Sequence, residues 1–223
     1  MSVMSLIAVS EVADRLGLST RQVQHLVAQG RLRQLARGVI DEASVDRLLA
    51  VRSGGHRRAW SQATAWGAVA LLSGAPVGWM DPRQRSRLRA RLRVLDAAAL
   101  VERARERASV TWYSGHPASV VRVRAELVVT SCAFPALGLA ESSVVDGYLD
   151  SSALAGTVAR HGLVRDDEGR WTLRATSMDL GVVADLAGRS PALAALDLAS
   201  SLDVRERRAG REALDRLLEG FHG

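Results

Sequence analysis

The stretch Val9-Ser10-Glu11-Val12-Ala13-Asp14-Arg15-Leu16-Gly17-Leu18-Ser19-Thr20-Arg21-Gln22-Val23-Gln24-His25-Leu26-Val27-Ala28 decides the reading of the front of the chain. Val9, Val12, Ala13 and Leu16 recur at i, i+3, i+4 and i+7, which puts four apolar side chains on one helix face. Ser10 stands where an N-cap is needed, and Gly17 where a helix stops. Ser19 then opens a second helix, with Gln22 three residues later completing a capping box. Its inward face is Val23, Leu26 and Val27. Two short amphipathic helices joined by Gly17-Leu18 make a helix-turn-helix pattern.

Outward from this pair, Arg31-Leu32-Arg33-Gln34-Leu35-Ala36-Arg37-Gly38-Val39-Ile40 suits a short two-stranded wing. Asp41 is expected to cap a third helix carrying Val45, Leu48, Leu49 and Val51. This order resembles the winged helix domains of the mercury-resistance (MerR) regulators and the phage excisionases. The matching text is Val9 to Ser19, then Gly30-Arg31-Leu32, then Ile40-Asp41-Glu42, within residues 6–52. The resemblance implies a winged helix-turn-helix domain over residues 1–52 that binds double-stranded DNA.

The residues support that mechanism by themselves. With Val23, Leu26 and Val27 inward, Arg21, Gln24, His25 and Ala28 share the outward face. Arginine and glutamine pair bidentately with guanine and adenine edges in the major groove, and each such pair discriminates by about 1–3 kcal/mol. Thr20 and the helix N-terminus can hold a phosphate. Arg31, Arg33 and Arg37 on the wing reach toward flanking backbone or minor groove. Ser19 and Gln22 at the helix start complete the candidate DNA-binding set. The five histidines are scattered without ligand spacing, so no metal site is expected, and no cofactor either.

The charge distribution points the same way. All 30 basic residues are arginine. Residues 1–110 carry 18 of them against 9 acidic residues, whereas residues 111–223 carry 12 against 15. A basic front and a mildly acidic rear fit nucleic acid at one end and a different partner at the other. The chain, at 223 residues and 48% apolar, has room for a small reader and a second domain with a real core. One cysteine, Cys132, excludes a disulfide framework within the chain and suits a reducing cytoplasm. Its neighbours Val129, Ala133 and Phe134 mark it as a small buried hydrophobe. Met1 to Ser10 has no signal-peptide character. Ala59 to Met80 lacks charge and is long enough to span a bilayer. Its serines, glycines and Pro76 point instead to a helix from about Trp60 to Leu72 and a turn at Gly74-Ala75-Pro76. A cytoplasmic protein without a membrane partner is expected.

Residues 53–108 read as a basic helical linker region. Arg52, His56, Arg57 and Arg58 around Gly54-Gly55 form its basic joint, either a phosphate contact or a solvated linker. Arg83, Arg85, Arg87, Arg89, Arg91 and Arg93 alternate with other residues, a strand signature, yet the residue types favour helix. That helix has a Leu88, Leu92, Leu95, Ala99 stripe with arginine on both flanks. It is either the solvated side of a packed helix or a surface for DNA or an acidic partner.

Residues 109–223 read as a small α+β domain, giving a helix-rich α+β fold class for the chain. Strands are expected at Val110 to Tyr113, Val128 to Thr130 and Trp171 to Thr176, and helices at Ala118 to Leu127 and Ser151 to His161. Two more helices finish the chain, one from near Pro191 and one capped by Asp203 with Glu206. No phosphate loop, nucleophile elbow or paired-carboxylate motif occurs, so an enzyme is not expected. Ser114-Gly115-His116 in a turn is no dyad. Asp166-Asp167-Glu168 reads as an acidic turn, and Asp185 and Asp197 as helix-surface or interface groups.

The layout, with Arg174-Ala175-Thr176-Ser177 ahead of Ala194-Ala195-Leu196-Asp197-Leu198, resembles the AbiEi-type antitoxins. That resemblance implies an autorepressor that binds its own operator and contacts a nucleotidyltransferase-like toxin. The other reading is an effector-sensing regulator of the MerR kind, with a pocket built around Trp112, Tyr113 or Trp171. Such regulators dimerise through a long coiled coil, and no sustained heptad occurs here. The antitoxin-type regulator is therefore the favoured expectation.

Overall fold

Three short strands and two helices set up the first part of the chain in the computed structural model, which describes residues 6–28, 32–42, 44, 45, 48, 58–139, 144–201 and 203–222. Strands β1 (Leu6–Ala8), β2 (Gln34–Ala36) and β3 (Val39–Asp41) form an antiparallel sheet in the order β1-β3-β2. Helix α1 (Val9–Leu16) follows β1 directly, and α2 (Thr20–Ala28) follows the Gly17-Leu18 turn. Gly17 takes the left-handed conformation at φ 62°. A side chain there would be strained, so the sequence places glycine where α1 must end. Ile7, Val12, Val23, Leu26, Ile40 and Val45 lie at the centre of this core.

Strand β1 was not legible in the sequence, and it changes how α1 begins. The N-cap position is Ala8, not Ser10, and Ser10 is exposed within the first turn. The Val9 N–H donates instead to the Gly38 carbonyl at 3.0 Å, so backbone from the β2–β3 turn satisfies a helix-start donor. Asp41 stands immediately before Glu42, where the expected third helix begins. It is the last residue of β3, opposite Leu6 and buried, and its carbonyl accepts from the Ser44 hydroxyl at 2.7 Å. Glu42, Ser44, Val45 and Leu48 are helical as expected, with Val45 and Leu48 buried. Leu49, Val51, Arg52, His56 and Arg57 lie outside the described residues.

The chain divides into two compact units, Met1–Gly55 with Ser200–Leu202, and His56–Ala199 with Asp203–Gly223. The second unit contains a four-stranded sheet of order β5-β7-β4-β6. Its strands are β4 (Ser109–Ser114), β5 (Asp146–Asp150), β6 (Val164–Arg165) and β7 (Trp171–Thr176). Strand β7 runs antiparallel to β4 and parallel to β5. Its helices are α3 (Gln62–Leu72), α4 (Pro82–Leu92), α5 (Ala97–Arg103), α6 (Val120–Ala125), α7 (Leu154–His161), α8 (Leu180–Arg189), α9 (Ala192–Ala199) and α10 (Val204–His222). Successive strand residues face opposite sides. Leu149, Leu173 and Ala175 join a cluster with Val123 and Leu163, while Tyr148 joins the larger helical cluster. The sheet is thus a layer between two apolar cores.

The expectation of a linker over 53–108 is corrected by this core. Helix α3 has every residue from Ala65 to Leu72 buried and packs against α9 and α10. The missing charge between Ala59 and Met80 has this cause, since a helix apolar all round must be buried all round. Among the described residues no helix is long and apolar enough to cross a membrane. Helix α10 comes so close to α9 that a Cβ at Gly210 would stand 2.4 Å from the Ala199 backbone nitrogen.

Other expectations shift as well. The helix of the arginine run ends at Leu92, with Arg93 at its C-cap, and Asp96 caps a separate α5, so Ala99 is on the next helix. Residues 118–127 become a 3₁₀ turn at Pro117–Ser119 followed by the shorter α6. Val128 makes only an isolated bridge to Tyr148, and an unexpected strand, β5, flanks β7 on the side opposite β4. Three helices rather than two close the chain, α8 having been missed. Cys132 is exposed in a 3₁₀ turn, because residues three apart share a side there and Ser131 and Phe134 take the inward positions.

Candidate nucleic-acid interface

Helix α2 begins in a closed box. The Ser19 N–H and hydroxyl donate to Gln22 Oε1 at 2.9 and 3.0 Å, and the Gln22 N–H donates to Ser19 Oγ at 3.3 Å. Ser19 and Gln22, both in the candidate set, are therefore engaged with each other and hold the helix start. Val23 and Leu26 point into the core, which leaves Thr20, Arg21, Gln24, His25 and Ala28 exposed. The structure brings Arg21, Gln24 and His25 onto one face, as the spacing requires. Arg33 and Arg37 are exposed on the β2–β3 hairpin, Arg37 in its turn, and the Arg33 N–H donates to Ser44 Oγ at 3.1 Å. Arg31 lies outside the described residues. An Arg15–Glu42 ion pair at 2.7 Å ties α1 to the segment after β3. This face offers a fork of donors at Arg21 and a paired donor and acceptor at Gln24. Both chemistries match base edges.

A second basic surface lies in the other unit. Asp81 caps α4 by accepting from the Gln84 N–H at 2.8 Å, and Gln84 Oε1 accepts from the Asp81 N–H at 3.3 Å. Leu88 and Leu92 are buried, Arg85 is half-buried, and Arg83, Arg87, Arg89, Arg91 and Arg93 are exposed. None of these six guanidinium groups is hydrogen-bonded or ion-paired to another described residue. Beside α4 runs a groove of about 320 Å³ lined by Ser61, Thr64, Trp79, Gln84, Arg87 and Arg91. The Trp79 indole is fixed there by donating to the Ala63 carbonyl at 3.0 Å.

The sequence reading missed a third cluster entirely. Asp197 is not a surface or interface group but the buried centre of an ionic network. Its Oδ1 accepts from Arg107 at 2.6 Å and from the Tyr148 hydroxyl at 2.5 Å, and its Oδ2 accepts from Thr130 at 3.0 Å. Arg174 grips Asp146 through two hydrogen bonds of 2.8 and 3.0 Å and lies 3.6 Å from Asp197. Burial alone would raise the Asp197 carboxyl, but the charges of Arg174 and Arg107 outweigh it and hold the group below the usual carboxylate range. Burial pushes the Tyr148 phenol up. Arg107 and Asp197 side chains are only 4% and 2% exposed. These groups are spent on one another, so the network locks β5 and β7 to α9. The signal was present in Arg174 itself, a charge between Leu173 and Ala175 in a buried strand, which demands a buried partner.

The remaining candidates of the rear half resolve as structure. The Ser114 hydroxyl donates to Asp166 at 2.5 Å and His116 Nδ1 accepts from the Ala118 N–H at 3.2 Å, so the two side chains serve separate turns. Asp166 also accepts from the Glu168 N–H at 3.0 Å, an acidic turn. Asp185 pairs with Arg189 on the surface of α8. No family model, curated protein or solved structure matches this chain.

Proposed function

We propose that the chain is a sequence-specific DNA-binding transcriptional regulator whose residues 6–52 act as a winged helix-turn-helix. In this reading α2 enters the major groove with Arg21 and Gln24 at base edges and His25 beside them. Thr20 and the start of α2 meet a phosphate, and Arg33 and Arg37 of the hairpin meet flanking backbone. The observation that carries the reading is the division of α2. Its apolar side is consumed by the core, whereas the opposite side gathers side chains with base-pairing chemistry and no large apolar group. The second unit has its own core and is the part that meets a protein partner, a nucleotidyltransferase-like toxin in the antitoxin reading. Of the residues on which the effector-sensing alternative would build a pocket, Tyr113 and Trp171 are packed into the sheet's core and Trp112 is half-buried.

The test is footprinting of the protein on the DNA upstream of its gene at physiological salt, with and without the product of the adjacent gene. A compact protected site, sharpened or released by that product, is expected. Salt-sensitive smearing without a site would overturn the proposal.

A further inference from the structure

Helix α4 has a geometry that the reader does not use. At 3.6 residues per turn, Arg83, Arg87 and Arg91 make one ridge and Arg85, Arg89 and Arg93 another. Leu88 and Leu92 separate the ridges on the buried side. Ser86 and Ala90 separate them on the outer side, both exposed. From Arg83 to Arg91 the ridge runs about 12 Å. We infer that this face is a second, sequence-independent binding surface for double-stranded DNA, with the two arginine ridges meeting phosphates on either side of a groove.

The distribution of charge selects this occupant. A compact phosphorylated ligand needs donors that converge, yet only Arg87 and Arg91 reach the groove, and the other four fan away along both flanks. A docked acidic protein needs an apolar centre to its interface. On the exposed side of α4 there is none, and the nearest large exposed apolar residue, Val94, lies past the helix end. Elsewhere in this unit exposed arginines such as Arg189 and Arg208 are answered by Asp185 and Glu212 one turn away. On α4 the run 83–93 contains no acid at all, and Asp81 is committed to the cap. A linear polyanion is the partner that matches unanswered charge repeated along a line. The width of the B-form major groove, about 12 Å, admits a helix, and small residues at Ser86 and Ala90 let its crest approach the floor. The deep, narrow groove of A-form RNA does not.

The experiment measures binding of the full chain to a 24-base-pair duplex of unrelated sequence between 50 and 200 mM salt. Each phosphate contact contributes about 0.9 to the slope of log affinity against log salt. Arg83→Gln/Arg87→Gln/Arg91→Gln is expected to lower that slope by about 2–3, and the matching variant of the other ridge similarly. The triple lysine variant, which keeps the charges, should keep most of the slope, and unchanged thermal melting shows that the fold is intact. In an Arg21→Ala/Gln24→Ala background the same glutamine changes should still lower the slope by about 2–3, so the two surfaces fail separately. An unchanged slope in both glutamine variants would overturn the inference. So would tighter binding of an A-form RNA duplex or an acidic peptide that depends on the same arginines.

Discussion

Helices α2 and α4 are both short, both closed at the start by a capping box and both exposed on one side, yet they present opposite chemistry. The outer face of α2 mixes arginine, glutamine and histidine, groups that distinguish one base edge from another. The outer face of α4 carries arginine and small neutral residues, which recognise charge and spacing alone. Two further arginines, Arg107 and Arg174, are buried and matched by Asp197 and Asp146. The lesson lies in the contrast between two groups of described arginines: a carboxylate answers each of the buried pair Arg107 and Arg174, and none answers the six along α4.

Removing the answer should have the largest effect. Asp197→Ala leaves Arg107 buried without its anion and is expected to cost the second unit about 3–5 kcal/mol. A single Arg→Gln change on α4 should stay within about 0.5 kcal/mol. Chemical denaturation of both variants checks the contrast, and equal losses would erase the distinction between the two kinds of arginine.

Next come the buried sides of the two helices. Leu26→Ala in α2 and Leu88→Ala in α4 remove the same atoms and should each cost about 2–5 kcal/mol. The first falls on a small core and should unfold Met1–Gly55 alone. Hydrogen exchange should then show protection lost from that unit while the sheet of the second keeps it. The caps should matter less and equally: Ser19→Ala and Asp81→Ala each cost about 1 kcal/mol. A thermal melt that moved for only one would mean that the boxes are not equivalent.

The smallest effect is in acid. The His161 hydrogen bond, together with those from Arg160 and Thr157 and against the opposing effect of burial, holds Glu126 down at about 2 from its ordinary 4.5. A depressed carboxylate stabilises above its ordinary value, and that contribution is lost as pH falls from about 4.5 toward 2. For this partly exposed cluster the loss should be about 1 kcal/mol or less. Glu126→Gln should flatten the decline. An unchanged pH profile would mean the cluster contributes nothing.

Legibility followed the local signals. The pair α1–α2, the hairpin β2–β3 and strand β7 were readable because spacing, Gly17 and the Ser19–Gln22 box act within a few residues. Strands β1 and β5 were not, since β1 is three residues long with only Ile7 inward, and β5 is defined by its pairing with a strand more than twenty residues later. The linker assigned to 53–108 failed because lack of charge at Ala65 to Leu72 says that a segment is buried without saying against what. In the candidate interface, the exposure of Arg21, Gln24 and His25 followed from helical period. The Asp197 network did not, because its members lie up to 90 residues apart.

The central claim is that the exposed face of α2 reads bases. Its most direct test is the affinity of wild-type and Arg21→Ala protein, at fixed salt, for the protected site and for each single-base-pair variant of it. Wild type should lose about 1–3 kcal/mol at each contacted pair, and Arg21→Ala should become indifferent at one of them while keeping the rest. Equal weakening on every sequence would contradict the claim and reduce α2 to a charged surface like α4.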